Sequence, residues 1–433
     1  MYIIRVVLVY IEKVFKEKKI GKEYEIKGWV YRIRKMKDKV FIVVRDSYGI
    51  IQVVFDANSP CFNDAEKLKM ESSLIIKGKV KEEPKAPGGY ELQGIKLEIV
   101  HIGEDFPINK DLNEELLGDR RHLWLRSRKM TASMKIRSTV LFALHEYMHK
   151  KGFTEIHAPS LSGATSEGGS ETFEVKYFDK KAYLTQSWQF YAENFIGALE
   201  KAYAIAPSFR AEKSKTPWHV TEFWHFEVEG AWMDLKDDMI IAEDCIKYVI
   251  TKVLAENKKD LEILEVNKSR FENVKTPFKR ITYKEAIDTL IKNGHDIKYG
   301  DDFKSAEERG LAKYYGNTFV FVTNYPLELL KFYHGEDPKN PGTGTNFNLL
   351  APDVGEMIDG SQREPDLNKI IVRLKKSGID LGMSDWYLDS RRYGSVPHAG
   401  FGLGVERFAA WICGFDNIRD SIPFPRTPNR FYP

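Results

Sequence analysis

The sequence predicts an α+β protein in two parts, and three observations carry that prediction. Residues 22–105 alternate apolar and polar side chains in five short runs separated by turn residues. From Lys129 the apolar spacing becomes helical, with Met134, Ile136, Val140, Leu141, Leu144 and Met148 on one face. Between Pro207 and Glu229, two alternating runs flank a polar turn, the pattern of an antiparallel hairpin.

Composition bounds the reading. With 42% hydrophobic and 30% charged residues, the chain can build a core and stay dissolved. Its net charge of +3 does not mark a nucleic-acid binder, although basic residues gather at 27–45. Cys61, Cys245 and Cys413 are far apart and none forms a C-x-x-C pair, which supports neither a zinc site nor a disulfide framework. A reducing, cytoplasmic compartment fits. Met1 to Ile11 is apolar but interrupted by Arg5 and too short to span a bilayer. It reads as an opening strand or a lead-in packed on one. No long apolar run follows, so no membrane partner is expected.

In the first part, Tyr24–Ile33, Val40–Val44, Ile50–Phe55, Ser73–Val80 and Tyr90–Val100 read as strands, with a helix from Pro60 to Met70. Five strands with one helix between the third and fourth is the order of an oligonucleotide-binding (OB) barrel. Such barrels hold single strands with stacking aromatics and a few polar groups. Phe41, Arg45, Asp46 and Gln52 lie on or beside the central strands, where each has a binding and a structural reading of equal weight. The domains are read as 1–105 for the barrel, 106–130 for a linker and 131–433 for the remainder.

The helix beginning near Lys129 ends at Gly152, and Phe153–Pro159 is a strand stopped by proline. A glycine-rich loop, 163–169, presents Glu167, and a polar cluster of Gln186, Ser187 and Gln189 follows. The hairpin places Arg210, Glu212, Lys213 and His219 at its mouth beside Phe223. Arginine clamps phosphate with a planar fork, and an aromatic face stacks on a base; an ordinary hairpin with a solvated turn is the equal alternative. On its return strand, Trp224, Phe226 and Val228 face one way, and His225, Glu227 and Glu229 the other. Asp237–Ile263 reads as one long helix, and Ile281–Gly294 as a helix capped by Thr282 and Glu285. Glu356 and Arg363 share a strand-to-turn region, and residues 389–404 are glycine-rich. Arg407 falls in the first turn of a helix starting at Gly404, where an anion would meet a guanidinium and the helix dipole.

Taken in order, the strand ending at Pro159, the Phe209-Arg-Ala-Glu212 hairpin and the Gly402-Leu-Gly-Val-Glu-Arg407 helix start resemble the three signature motifs of class II aminoacyl-tRNA synthetases. The preceding barrel resembles subclass IIb, the aspartyl, asparaginyl and lysyl group. The resemblance spans Gly28-Trp29-Val30 to Phe424-Pro-Arg-Thr-Pro428. It implies a catalytic domain of mainly antiparallel sheet flanked by helices, a homodimer through the first motif, and ATP, Mg²⁺ and tRNA as ligands. By the same resemblance, Arg210 holds the α-phosphate and the amino-acid carboxyl end. Glu212 meets the adenine edge, His219 the terminal phosphates, and Phe223 and Arg407 sandwich the adenine. Glu356 binds Mg²⁺, Glu167 and Gln189 hold the α-amino group, and Arg363 grips the side-chain oxygen. Phe41 and Gln52 resemble anticodon-reading positions, with Arg45 beside them. No protein nucleophile is expected, because the amino-acid carboxylate itself attacks the α-phosphorus and the enzyme only positions and neutralises.

The amino acid is read from two positions. Aspartyl enzymes carry Gln-Ser-Pro-Gln-Leu-Tyr-Lys at the polar cluster; here the run is Gln186-Ser-Trp-Gln-Phe-Tyr-Ala192, so the lysine is missing. A buried carboxylate facing one arginine would be poorly compensated, whereas a neutral amide would not. Glu227 lies where the aspartyl pattern has Asp, and can accept from an asparagine NH₂ while repelling aspartate; its alternative is a structural partner for Arg363. The run Phe226–Asp234 is similar to asparaginyl enzymes, and the expectation is an asparaginyl activity on tRNA(Asn), closest to the archaeal type. Competing readings are an aspartyl enzyme charging both tRNAs, a synthetase-like asparagine synthetase, and a silent tRNA-binding paralogue. The chain departs from the family pattern at Trp218, where relatives carry Arg, and at Asp359, where they carry Gly or Ser and where an extra metal ligand or a turn residue would serve. One phosphate contact is then either missing or supplied by Lys213 or Lys215.

Overall fold

The computed structural model describes residues 9–108, 113–163, 172–214, 216–377 and 381–433. The chain divides into two compact units, Met1–Leu116 and Leu117–Pro433. In the first, β1 (Glu23–Lys35), β2 (Lys39–Arg45), β3 (Ile50–Asp56), β4 (Ser73–Glu82) and β5 (Tyr90–His101) close into a barrel in the order β1-β2-β3-β5-β4. The period-2 pattern explains the closure, since Ile26, Val30, Val40, Ile42, Val44, Ile51, Val53 and Leu74 all fill the interior. The helix between β3 and β4 is shorter than the sequence reading, Phe62–Lys67, because the chain turns extended at Leu68.

The opening strand or lead-in expected over Met1–Ile11 lies, for its first eight residues, outside the described residues; from Ile11 to Glu17 the chain is a helix. Ile11 and Val14, three apart, are buried against the barrel core, which suits a helix rather than a strand. The Asp46 carboxylate accepts from the Ile11 N–H at 2.6 Å and from the N–H groups of Tyr48 and Gly49, so this candidate residue anchors the barrel's own backbone.

The second unit carries β6 (Thr154–Glu155), β7 (Leu161–Ser162), β8 (Glu174–Tyr177), β9 (Lys180–Leu184), β10 (Lys201–Phe209), β11 (Glu222–Ala231), β12 (Lys279–Thr282), β13 (Val320–Thr323), β14 (Asn346–Ala351), β15 (Gly355–Gln362) and β16 (His398–Gly404). Eight of these form one sheet in the order β12-β13-β14-β15-β16-β11-β10-β6, and β7, β9 and β8 form a small separate one. The large sheet is antiparallel except where β12 meets β13 and β10 meets β6. One face packs on the Arg128–Lys150 and Leu235–Glu256 helices, sharing a core of Leu144, Ile246, Phe226, Val228, Ile358 and Leu403.

Several sequence expectations change. The single helix over 237–263 is two, Leu235–Glu256 and Lys258–Ile263, broken at Asn257, whose backbone leaves the helical region while its amide bonds Asp260 at 3.0 Å. The helix expected from Ile281 begins at Tyr283, because Ile281 and Thr282 complete β12; its Thr282–Glu285 capping box is present as read. The 106–130 stretch, expected as a linker, contains the short helices Glu114–Asp119 and Arg121–Trp124. Arg121 is buried, donating to the carbonyls of Arg419, Ile422 and Pro423 at 2.7, 2.5 and 3.0 Å. The glycine-rich run 389–404 begins in the helix Leu381–Arg392, which follows the helix Leu367–Ser377, and ends in β16. Among the described residues no helix is long and apolar enough to cross a membrane.

Glycine in β16 has a steric purpose. Gly402 lies between Asp359 and Glu227, and Gly400 between Ser361 and Glu229, in two rows across β15, β16 and β11. A Cβ at Gly400 would fall 2.2 Å from both the Val228 carbonyl and the Glu229 carboxylate, and one at Gly402 would fall 2.4 Å from His225 Nε2. Gly400→Ala is therefore expected to destabilise the protein by at least about 1–3 kcal/mol, the usual cost of overpacking, as read from urea unfolding midpoints.

Candidate active site

On the sheet face opposite that core, a cavity of about 410 Å³ is lined by the residues just beyond β10, by β11, β15 and β16, and by the start of the Val405–Cys413 helix. It gathers Gln189, Arg210, Glu212, His219, Phe223, Glu227, Glu356, Asp359, Arg363 and Arg407 from segments as far as 218 residues apart in the chain. Glu167 and Lys215 lie outside the described residues.

At the hairpin end, the Arg210 guanidinium sits over the Phe223 ring at 5.4 Å. His219 Nδ1 is bonded to Thr216 Oγ1. Its imidazole is held below its ordinary pKa by burial and by the charges of Arg407 and Arg210, so it is a neutral donor or acceptor at pH 7. Arg407, third in its helix, donates to the Glu356 carbonyl at 2.6 Å and lies 3.8 Å from the Glu356 carboxylate. Trp218 is buried in the main core while also reaching the cavity wall, so it has a packing role.

At the other end the charges are tightly paired. Arg363 Nε and Nη2 bond the Glu229 carboxylate at 3.1 and 2.9 Å, and Nη1 bonds Ser361 Oγ at 2.9 Å. Glu229, not Glu227, is thus the partner of Arg363, and its pull holds the buried guanidinium charged. Of the five guanidinium N–H groups, this leaves two for a ligand. Glu227 instead accepts from the Trp188 N–H at 2.9 Å and from Ser187 Oγ, with His225 Nδ1 3.3 Å away. Burial would raise its pKa, but His225, Ser187 and the Trp188 N–H together hold it below the ordinary value, so it is ionised. The return strand was expected to have one buried face; both are enclosed, Glu227 and Glu229 being 5% and 1% exposed.

Gln189 donates to Glu193 at 2.9 Å. Glu193, which the sequence reading missed, also accepts from Tyr387 at 2.9 Å, meets His398 Nε2 at 3.1 Å and pairs with Arg391. Its signal was a lone acid in the apolar Gln189–Leu199 helix, four residues from Gln189. Ala192 packs among Trp188, Ile196 and Ala202, so no cation stands where an aspartyl pattern needs its lysine.

Glu356 and Asp359 both face the cavity. Glu308, also missed, accepts from the Glu356 N–H at 3.1 Å, and burial together with the Glu356 charge pushes its carboxyl up to about 7. Two acids crowded this way have Arg407 as their neighbouring cation, and their oxygens suit a hard divalent cation. Among the described residues, no group of three or more His, Cys, Asp or Glu has metal-binding geometry.

On the barrel, Arg34 lies over the outward Phe41 ring at 4.4 Å, and Gln52 donates to Glu91 at 2.9 Å. Arg45 forms a two-bond pair with Glu71 at 2.9 and 3.1 Å, both groups being largely buried beside Trp29.

The family model for class II tRNA synthetases of the D, K and N group matches residues 113–428, and that for the OB-fold nucleic acid binding domain matches 24–100. The chain belongs to the class II tRNA synthetases of that group. It is 46% identical to an asparagine–tRNA ligase of Thermococcus kodakarensis over 417 residues, covering 95% of this chain and 96% of the relative. Among solved structures it resembles asparaginyl-tRNA synthetase from Pyrococcus horikoshii complexed with asparaginyl-adenylate, with a TM-score of 0.94 and 44% identity over 99% of this chain and 100% of that one. The Entamoeba histolytica enzyme with asparaginyl-adenylate superposes with a TM-score of 0.87 at 30% identity, covering 96% of this chain and 97% of that one.

The cavity wall predicts a pH response. His334 stacks on Tyr333 at 4.6 Å, donates Nδ1–H to the Lys331 carbonyl at 3.2 Å, and is 3% exposed. Burial and the Arg363 charge push its pKa down from 6.5 to about 3. Between those values the unfolded chain binds the extra proton, so stability falls as pH drops below 6.5 and the loss is complete near 3. His334→Met should flatten the acid limb of the unfolding free energy by roughly 4 kcal/mol between pH 7 and 3, measured by denaturant titration at fixed pH values.

Proposed function

We propose that the protein is an ATP-dependent asparagine–tRNA ligase. It joins asparagine to AMP with release of pyrophosphate, then transfers asparagine to the terminal adenosine of tRNA(Asn). The observation that carries this reading is the charge balance at the Arg363 end of the cavity. Its one guanidinium is already neutralised by Glu229, Glu227 is ionised beside it, and Ala192 stands where a second cation would be needed. A substrate carboxylate there would meet net negative charge, whereas an amide oxygen can take the free Arg363 N–H groups and an amide NH₂ can donate to Glu227. The adenylate-bound relatives support the same reading.

In the first step the asparagine carboxylate attacks the α-phosphorus in line. Arg210 neutralises the α-phosphate, Phe223 and Arg407 enclose the adenine, Glu212 accepts from its amino edge, and His219 reaches the leaving phosphates. Gln189, held by Glu193, and Glu167 hold the α-amino group. Catalysis is positioning and charge neutralisation on a preorganised wall. Glu356 and Asp359 would hold Mg²⁺, which supplies charge compensation for the phosphates. Phe41 and Gln52 read an anticodon base on the barrel, residues 1–105, and the enzyme works in the cytoplasm.

Purified protein should support pyrophosphate exchange with asparagine at least about 10²-fold better than with aspartate, as polar sites that leave a mismatched group unpaired discriminate. Exchange with aspartate alone would overturn the reading. Glu227→Gln should raise KM for asparagine while leaving KM for ATP within about twofold.

The assembly is read as a homodimer through the Arg128–Lys150 helix and β6. Here β6 is the sheet's short edge and Phe142 is 63% exposed on the helix. Sedimentation should give a dimer, and Phe142→Glu should shift it toward monomer.

A further inference from the structure

Glu356 and Asp359 both face the catalytic cavity although they lie three apart on β15. Side chains three apart on a regular strand point to opposite faces. The register explains the exception. Leu349 on β14 pairs with Ile358, and the next residue, Leu350, pairs with Glu356, so the ladder skips Met357. That bulge brings the two acids onto one face. The same strand pair supplies what stands beside them. Asn348 on β14 is directly opposite Asp359, so both side chains share a face. Its Nδ2 donates to Glu356 Oε2 at 2.8 Å. Chemistry fixes the orientation of that amide, because its oxygen turned toward the carboxylate would set acceptor against acceptor.

The rest of Glu356 is held as firmly. Its N–H donates to Glu308 at 3.1 Å, and its carbonyl accepts from Arg407 at 2.6 Å. Gly355 before it has a φ of +90°, and a Cβ there would collide with Glu308 Oε2. The backbone and one carboxylate oxygen are therefore fixed before any ligand arrives. Oε1, with Arg407 3.8 Å away, is the oxygen left for one.

We propose that Asn348 is the positioning residue that makes Glu356 a one-oxygen ligand and so tunes the cation site toward Mg²⁺ and against the larger Ca²⁺. The proposal rests on the reading of Glu356 and Asp359 as the residues that hold Mg²⁺. Mg²⁺ demands a near-regular octahedron of short bonds and keeps several of its waters, whereas Ca²⁺ takes more oxygens in looser geometry and accepts bidentate carboxylates. Tying Oε2 to a neighbouring amide withholds the second oxygen from the larger ion and leaves the smaller one unaffected. Neutrality at position 348 is part of the device. An acid there would stand between Glu356 and Asp359, lose the bond to Oε2 and offer Ca²⁺ further oxygens.

The test is direct cation binding to the nucleotide-free full chain. Mn²⁺ is titrated by electron paramagnetic resonance, and Mg²⁺ and Ca²⁺ are each measured as competitors. Glu356→Gln should lower Mn²⁺ affinity at least about tenfold; if it does not, the Mg²⁺ reading itself fails and this proposal with it. Asn348→Leu, similar in shape but without a donor, should weaken Mg²⁺ by about 10–100-fold, the usual effect of removing a group that orients a metal ligand, while Ca²⁺ stays within about threefold. Asn348→Asp should move the Mg²⁺/Ca²⁺ ratio the same way, by strengthening Ca²⁺ at least about tenfold, and it alone decides if the Leu variant does not fold. General loosening of the sheet would weaken both cations alike. An unchanged Mg²⁺/Ca²⁺ ratio in these variants, with Glu356→Gln still defective, would make Asn348 a packing residue and overturn the proposal.

Discussion

Three distant segments meet on one buried carboxylate, and the catalytic unit depends on that meeting. Glu406 accepts from Arg137 at 2.5 Å and from the Trp224 N–H at 3.0 Å, across 269 and 182 residues of chain. Arg137 belongs to the first-motif helix, Trp224 to the hairpin and Glu406 to the helix that carries Arg407. Ser421 adds a fourth segment by donating to the Glu406 carbonyl at 2.9 Å. A buried charge left without partners is strongly destabilising, so the three segments must be in register before Glu406 can be enclosed. That requirement sets Arg407 against Glu356 and the hairpin mouth.

The same logic governs the specificity end of the cavity. Glu193, Glu227 and Glu229 are all enclosed, and each is compensated by a different group: Arg391 with His398, the Ser187–Trp188–His225 set, and Arg363. A wall built this way has little freedom to relax around a substrate, which is what preorganised recognition demands. On the function proposed above, preference for a neutral side chain follows from this balance of charge. The hairpin end differs, because there Arg210, Arg407 and a neutral His219 stand beside the acids Glu212, Glu356 and Asp359.

Much of this was legible from residues alone where the signal was local. Alternation placed the barrel strands, and the Thr282–Glu285 capping box was visible as two residue types three apart. The hairpin was legible as a hairpin, and the side on which His225, Glu227 and Glu229 lie followed from the pleat. Signals that depended on a partner elsewhere in the chain were not. Nothing near Arg363 in sequence identifies Glu229 as its partner, nor does anything near Arg45 identify Glu71. Glu193 and Glu308 look like ordinary helix acids until the sheet and neighbouring helices enclose them. The helix at Ile11–Glu17 was not read from the sequence, because its apolar residues suit either period and only burial against the barrel, with the Asp46 contact, decides.

By itself the sequence determined the two-part plan, the barrel order, the hairpin and the set of residue types that can bind a nucleotide and an amino acid. Those properties follow from short-range periodicity and from side-chain chemistry, both of which are carried within a few residues. The tertiary structure alone decided which carboxylate neutralises Arg363, which one stays ionised beside it, and why β16 needs Gly400 and Gly402. It also decided that Trp218 packs as core. These are outcomes of long-range pairing and enclosure, in which a charge acquires its role only when the strands and helices around it remove its water.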